Sequence, residues 1–300
     1  MKAAKFLTTV FAAIICVSPC MAGYIYVSNP NTPTITQYNS AGTASTVENS
    51  FYATGLAFGP NGNLYAAQDR SIVYQVAPGG AVSVFQNSFV GGTNYGILNG
   101  NLGLVFDHSG NLYVGENYSN SLTKVTPGGT RSNFSGNLGN GPQNTAIDSS
   151  GNFYVARQDS TVMKVTAAGA STVFNSGLSQ AWGIAIDSSD NIFVSNRGTN
   201  QIVRFAAGSN TFSVFATIST GVGAMAFDSA GNLFVVSTGK LLEFASGSNT
   251  ATVFANQSSL TVDRSFIATS STDISGTPEP ASWSLLAIGG FAFAFRRRKN

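Results

Sequence analysis

The chain is 300 residues long, 43% hydrophobic and only 9% charged, with a formal net charge of +2. With 15 Lys and Arg against 13 Asp and Glu there is no basic excess of the kind that holds nucleic acid, and no such partner is expected. Two cysteines and one histidine leave no zinc pattern, and there is neither a phosphate-cradling loop nor a Ser/His/Asp set.

The first predicted element is a leader. Lys2 and Lys5 form a positive n-region, residues 6–17 an apolar h-region, and Cys20-Met21-Ala22 a small-residue cleavage site ahead of Gly23. Residues 1–22 read as a secretory signal peptide cut by signal peptidase, with its helix removed. An alternative with Cys20 as a lipidated residue lacks the usual leucine upstream and sets Pro19 beside the cysteine. Cys16 and Cys20 both leave with the leader, so the mature body has neither a disulfide nor a thiol nucleophile.

From residue 23 to 270 the sequence repeats itself. Gly62-Asn63-Leu64-Tyr65-Ala66 returns as Gly110-Asn111-Leu112-Tyr113-Val114, Gly151-Asn152-Phe153-Tyr154-Val155, Asp190-Asn191-Ile192-Phe193-Val194 and Gly231-Asn232-Leu233-Phe234-Val235. A degenerate copy, Gly23-Tyr24-Ile25-Tyr26-Val27, comes first. Successive copies lie 39, 48, 41, 39 and 41 residues apart, the period of a propeller blade. Each unit divides into four short strands, predicted in the fifth over 183–187, 191–195, 201–205 and 211–215, with Gly, Ser and Asn between them. The recurring pattern G-x-A-x-D-x-x-G-N-φ-φ-V, where φ is apolar, resembles the NHL repeat. The resemblance implies an all-β body over 23–270, a six-bladed β-propeller of four-stranded antiparallel blades, to which the ends add a signal helix and a short transmembrane helix.

The first unit starts at its second strand, so its innermost strand has to come from the C-terminal end, where pairing removes two open edges. Residues 260–263, Leu-Thr-Val-Asp, match the Ile-Ala-Ile-Asp of the fifth unit and are the expected closing strand; 265–269 is the alternative register. Asp107, Asp148, Asp187 and Asp228 each begin a tight turn ahead of the second strand, where a carboxylate accepts hydrogen bonds from the following backbone; they are expected to be turn residues. His108 lies in one of these turns.

In a propeller the loops between second and third strands share one face with the connections between blades. Here those loops are 29–33, 68–70, 116–120, 157–159, 196–200 and 237–239, and the longest connection is 86–103. Gln68, Asp69, Arg70, Tyr95, Glu116, Asn117, Arg157, Trp182, Asn196 and Arg197 fall on this face and are the candidate binding residues. No cofactor and no catalytic residue is expected. The alternative is Ca2+ held by the hard oxygen donors Glu116, Asn117 and Asn196, as in a hydrolase similar to the gluconolactonase-type propellers. A lyase similar to the streptogramin-inactivating propellers would want a histidine base, and none falls on that face.

The chain ends in a Ser/Thr/Gly-rich spacer, 271–277, then Pro278-Glu279-Pro280, an uncharged apolar run over 281–295 and Arg296-Arg297-Arg298-Lys299. This order resembles a PEP-CTERM sorting signal, which implies an exosortase as processing partner. Fifteen helical residues span about 22 Å, short of a roughly 30 Å hydrocarbon core, so the helix is a marginal permanent anchor. The terminal arginines stay cytoplasmic and the body faces out. Without Lys2, Lys5 and the four tail cations 9 bases remain, and without Glu279 12 acids, so the mature body carries about −3. Such a neutral polar body suits a non-catalytic protein of the cell surface or exopolysaccharide matrix, with a polysaccharide or protein ligand.

Overall fold

A computed structural model describes residues 23–270 except 30, 31, 69–71, 88–102, 117, 118, 137, 140, 158, 263 and 264. The signal segment, the spacer and the sorting tail with its apolar run lie outside the described residues, as do Asp69, Arg70, Tyr95 and Asn117.

The described residues form six four-stranded antiparallel sheets, the all-β six-bladed propeller that the repeat predicts. Blade two runs Ala53–Phe58, Leu64–Gln68, Ile72–Val76 and Val82–Gln86; blade three Leu104–Phe106, Leu112–Glu116, Ser121–Val125 and Arg131–Ser135. Blade four is Pro142–Ile147, Phe153–Arg157, Val162–Val165 and Ser171–Asn175; blade five Ala181–Ile186, Ile192–Asn196, Gln201–Phe205 and Phe212–Thr217. Blade six comprises Met225–Phe227, Leu233–Ser237, Lys240–Phe244 and Ala251–Asn256. Each blade's first strand touches the first strand of the next all the way round, which makes these strands the inner ring.

Blade one is composite. Tyr24–Asn29, Thr34–Tyr38 and Ala44–Glu48 are joined by Ile267–Ser270, which pairs Val27 with Ile267 and Tyr24 with Ser270. The closing strand is therefore not 260–263. Leu260 is buried, but as the plug of an inter-blade loop, as Leu138, Leu178 and Ile218 are in earlier connections. Its carbonyl accepts from the Gly239 amide rather than from a ladder partner. A buried aliphatic beside β-branched residues looks the same in sequence whether it fills a loop or a strand.

The blades stick together through their faces. An aromatic in the first half of a second strand packs on the last residue of the next blade's first strand: Tyr26 with Phe58 at 4.9 Å, Tyr65 with Phe106 at 4.7 Å and Phe193 with Phe227 at 5.1 Å between centroids. A phenylalanine of the outer strand closes on the same ring from within the blade, Phe85 on Tyr65, Phe134 on Tyr113 and Phe254 on Phe234. Edge-to-face pairs of this kind add about 0.5–1.5 kcal/mol beyond area burial.

The exposed outer edge is managed in a uniform way. In every blade the register between third and outer strands slips once, at Ile35/Thr36, Val73/Tyr74, Leu122/Thr123, Val162/Met163, Ile202/Val203 and Leu241/Leu242. The irregularity bends the edge and makes it a poor template for a further strand.

The four turn aspartates sit as the sequence predicts. Asp107 Oδ1 accepts from the amides of Ser109 and Asn111 at 2.9 Å each, and its Oδ2 accepts from the Asn111 side chain at 2.8 Å. Asp148, Asp187 and Asp228 repeat the arrangement. Burial opposes the charge on Asp107, but the hydrogen bonds from Asn111, Tyr113 and Ser109 outweigh it and hold the carboxyl below its usual range. His108 is exposed in the same turn.

Candidate functional site

Six second strands end at the same level with a polar residue: Asn29, Gln68, Glu116, Arg157, Asn196 and Ser237. Sequence reasoning places most of these at the start of exposed loops. In the structure all but the half-buried Gln68 are buried. Alternation along the strand explains it. Leu112, Val114 and Glu116 share one face, and Leu112 and Val114 belong to the core between blades two and three, so Glu116 turns the same way.

Most of these side chains hold down the connection that arrives from the previous blade. Asn29 donates to Ser259 Oγ at 2.7 Å. Asn196 Oδ1 accepts from the Ser179 amide at 2.6 Å. The Ser237 hydroxyl donates to the Gly221 carbonyl at 2.7 Å and lies 2.7 Å from the Thr220 hydroxyl. The Arg157 guanidinium packs against Gly139, where it would meet an added Cβ at 2.7 Å, and pairs with Asp159. Burial opposes the charge on Asp159, but Thr161 and then Arg157 draw its carboxyl below the usual range.

Glu116 is 2% exposed and fully engaged within its blade. Its carboxylate accepts from the Thr123 hydroxyl and from Ser119 Oγ at 3.1 Å, and Arg131 Nη2 lies 3.7 Å away on the outer strand. These partners escape sequence reasoning because they come from the following loop, the third strand and the outer strand. The available signal is register: the pairing of Val114 with Thr123 and of Glu116 with Ser121 puts Thr123 and Glu116 on one face.

Asn196 and Glu116 belong to blades five and three and each is hydrogen-bonded to its own surroundings, while Asn117 lies outside the described residues. Among the described residues no three His, Cys, Asp or Glu side chains gather.

Trp182 and Arg197 are the candidates that meet on the rim. The guanidinium carbon stands 4.8 Å from the indole centroid. Arg197 opens a short 3₁₀ turn, Arg197–Thr199, closed by the left-handed Asn200. The loop ahead of Trp182 is clamped to this turn, because the Arg197 amide donates to the Gln180 carbonyl at 3.2 Å and the Gly198 amide to Ser179 at 2.9 Å. Both side chains are half-buried, and the indole N–H has no hydrogen-bond partner among the described residues. His108 lies at the opposite ends of the strands, in a turn from first to second strand.

Two family descriptions match the chain: a PEP-CTERM protein-sorting motif over residues 277–299 and an NHL repeat over residues 178–205. The first implies processing by an exosortase, export, and a surface or membrane-anchored location. No curated protein matches the chain significantly. Among solved structures the propeller is similar to one in a nidogen/laminin complex, with a TM-score of 0.70 at 13% identity over 82% of this chain and 98% of that one. It is similar to a catalytically inactive histidine-to-alanine variant of virginiamycin B lyase from Staphylococcus aureus, solved with quinupristin (TM-score 0.59, 14% identity, 78% of this chain and 80% of that one). A gluconolactonase from Xanthomonas campestris gives 0.58 at 16% identity over 69% and 77%. At these identities the likeness is one of fold.

Proposed function

We propose that this chain is an exported, non-catalytic propeller that binds a neutral polysaccharide or a protein of the extracellular or exopolysaccharide matrix through its loop-bearing face. The sorting motif supports the location. The observation that carries the non-catalytic reading is the engagement of Glu116, Arg157, Asn196 and Ser237 within the propeller. Polar groups already bonded to their own strands and loops hold a surface in shape and have little left for a metal or a reacting substrate. The half-buried indole of Trp182 under Arg197 is the rim's aromatic platform, and the surrounding surface has few charges to impose on a ligand.

The test uses the protein processed by its native host, titrated with that host's isolated exopolysaccharide while indole emission is followed. The chain has two tryptophans; Trp283 leaves with the tail, so the signal reports Trp182. A saturable emission change in the wild type, together with co-sedimentation with the polysaccharide that Trp182→Ala weakens, is the expected result. No emission change and no co-sedimentation with the polysaccharide would sink the reading. A calcium-dependent rise in Tm that Glu116→Ala abolishes would instead favour a gluconolactonase-like hydrolase with Ca2+ at Glu116, Asn117 and Asn196.

A further inference from the structure

In blades three, four and five the residue opposite the second-strand aromatic is a base: Lys124 pairs with Tyr113, Lys164 with Tyr154 and Arg204 with Phe193. Each cation lies over its ring, at 5.8, 5.4 and 6.0 Å from the centroid. The same blades carry the turn aspartates Asp107, Asp148 and Asp187. Blade six repeats the turn with Asp228 but sets Glu243 opposite Phe234. Two carboxylates therefore line one hollow of about 200 Å3 at the seam of blades six and one, together with Gly23, Ser40 and Asn232 and, among the described residues, with no basic side chain. Burial, and then the charge of Asp228, raises the Glu243 carboxyl above its usual range.

The chain itself brings the group that fits. Gly23 stands beside Asp228, close enough that a Cβ on the glycine would lie 3.9 Å from the Asp228 Cβ. Gly23 is also the residue ahead of which the leader is expected to be cut. We infer that hydrolysis of the peptide bond between Ala22 and Gly23 by a leader peptidase sets the new α-ammonium group of Gly23 in the hollow of Asp228 and Glu243, so that removal of the leader completes the seam of the ring. Water adds across the amide: the carboxylate leaves on Ala22, and the amine stays on Gly23 and is protonated below about pH 8. Before cleavage the same nitrogen is an uncharged amide, and the two carboxylates share the hollow without a cation among the described residues. Afterwards a compact cation with three donors supplies what Lys124, Lys164 and Arg204 supply in the other blades. The inference rests on the export reading above and goes beyond it by naming the bond and the group it frees.

Intact-mass measurement and N-terminal sequencing of the full chain exported with its own leader test the first step. The expected N-terminus is Gly23. A different N-terminus overturns the inference alone, whereas a leader that is never removed overturns the export reading with it. Thermal melts of the exported protein against pH test the second step. The two carboxylates raise the folded-state pKa of the ammonium, so its stabilisation is complete below about pH 8 and is lost as pH rises through the folded value. Among the described residues no titratable side chain other than Asp228 and Glu243 lines the hollow. Between pH 7 and pH 10 the Tm of the wild type should fall by about 2–4 °C more than that of Glu243→Gln. An exported variant with one alanine inserted ahead of Gly23, its N-terminus confirmed by mass, should lose the same pH dependence because its ammonium lies outside the hollow. Profiles parallel to the wild type in both variants overturn the inference.

Discussion

The Ser28 hydroxyl accepts a hydrogen bond from the Phe266 amide at 2.8 Å, and the Ser28 amide donates to the Phe266 carbonyl at 2.9 Å, across 238 residues of sequence. This exchange fastens the end of the second strand of blade one to the strand that completes it. Ser28→Ala should destabilise the protein by about 1–3 kcal/mol, because the Phe266 amide loses its acceptor in a dry seam. Urea titration with an unchanged slope and a lowered midpoint would show it. A midpoint equal to the wild type would mean that the ring does not depend on this contact.

Glu116 gives the clearest separation between a structural and a catalytic carboxylate. As a structural group bonded to Thr123, Ser119 and Arg131, its replacement by alanine should cost roughly 1.5–3 kcal/mol with or without calcium. Arg131→Ala should cost less, under about 1 kcal/mol, since the arginine is 29% exposed and its pair is partly screened. Calorimetry on both variants decides the order.

The inner ring is crowded at glycines. A Cβ on Gly103 would lie 2.9 Å from the Thr145 amide nitrogen and 3.0 Å from the Asn144 Cα, both backbone atoms of the next blade. Gly103→Ala should therefore force the two blades apart and cost about 1–3 kcal/mol. Gly128, in a hairpin of blade three, has nothing within 4 Å of the same position, and Gly128→Ala should stay within about 0.5 kcal/mol of the wild type.

Acid should weaken the turns. Burial opposes ionisation of Asp107, but its hydrogen bonds to Asn111, Tyr113 and Ser109 leave the folded-state carboxyl below the unfolded value of 3.8. A lowered folded pKa contributes stability that is present above the unfolded value and is lost as pH falls through the folded one. Melting temperature should drop below about pH 4, less steeply in Asp107→Asn. Tyr113, whose hydroxyl is pushed up to about 12 by burial and then by Asp107, should stay un-ionised when exposed tyrosines titrate in an absorbance scan.

Local chemistry was legible in the chain to the extent that it repeats. The 39–48 residue period, the turn aspartates followed by Gly-Asn or Asp-Asn, and the apolar second strands specify the blades, because each rests on contacts within a few residues. The sorting tail is legible for the same reason, since its motif, hydropathy and terminal charge need no tertiary partner. What only the tertiary structure decided concerns groups brought together from distant positions. Leu260 and Ile267 are equally good strand residues, and only the pairing of Val27 with Ile267 chooses between them. Glu116 and Asn196 read as loop donors until Thr123 and Ser179 are folded against them. Gly23 and Asp228 are nowhere near each other in sequence; closure of the ring sets them side by side, because the seam is where the first and last strands of the body must satisfy each other's backbone.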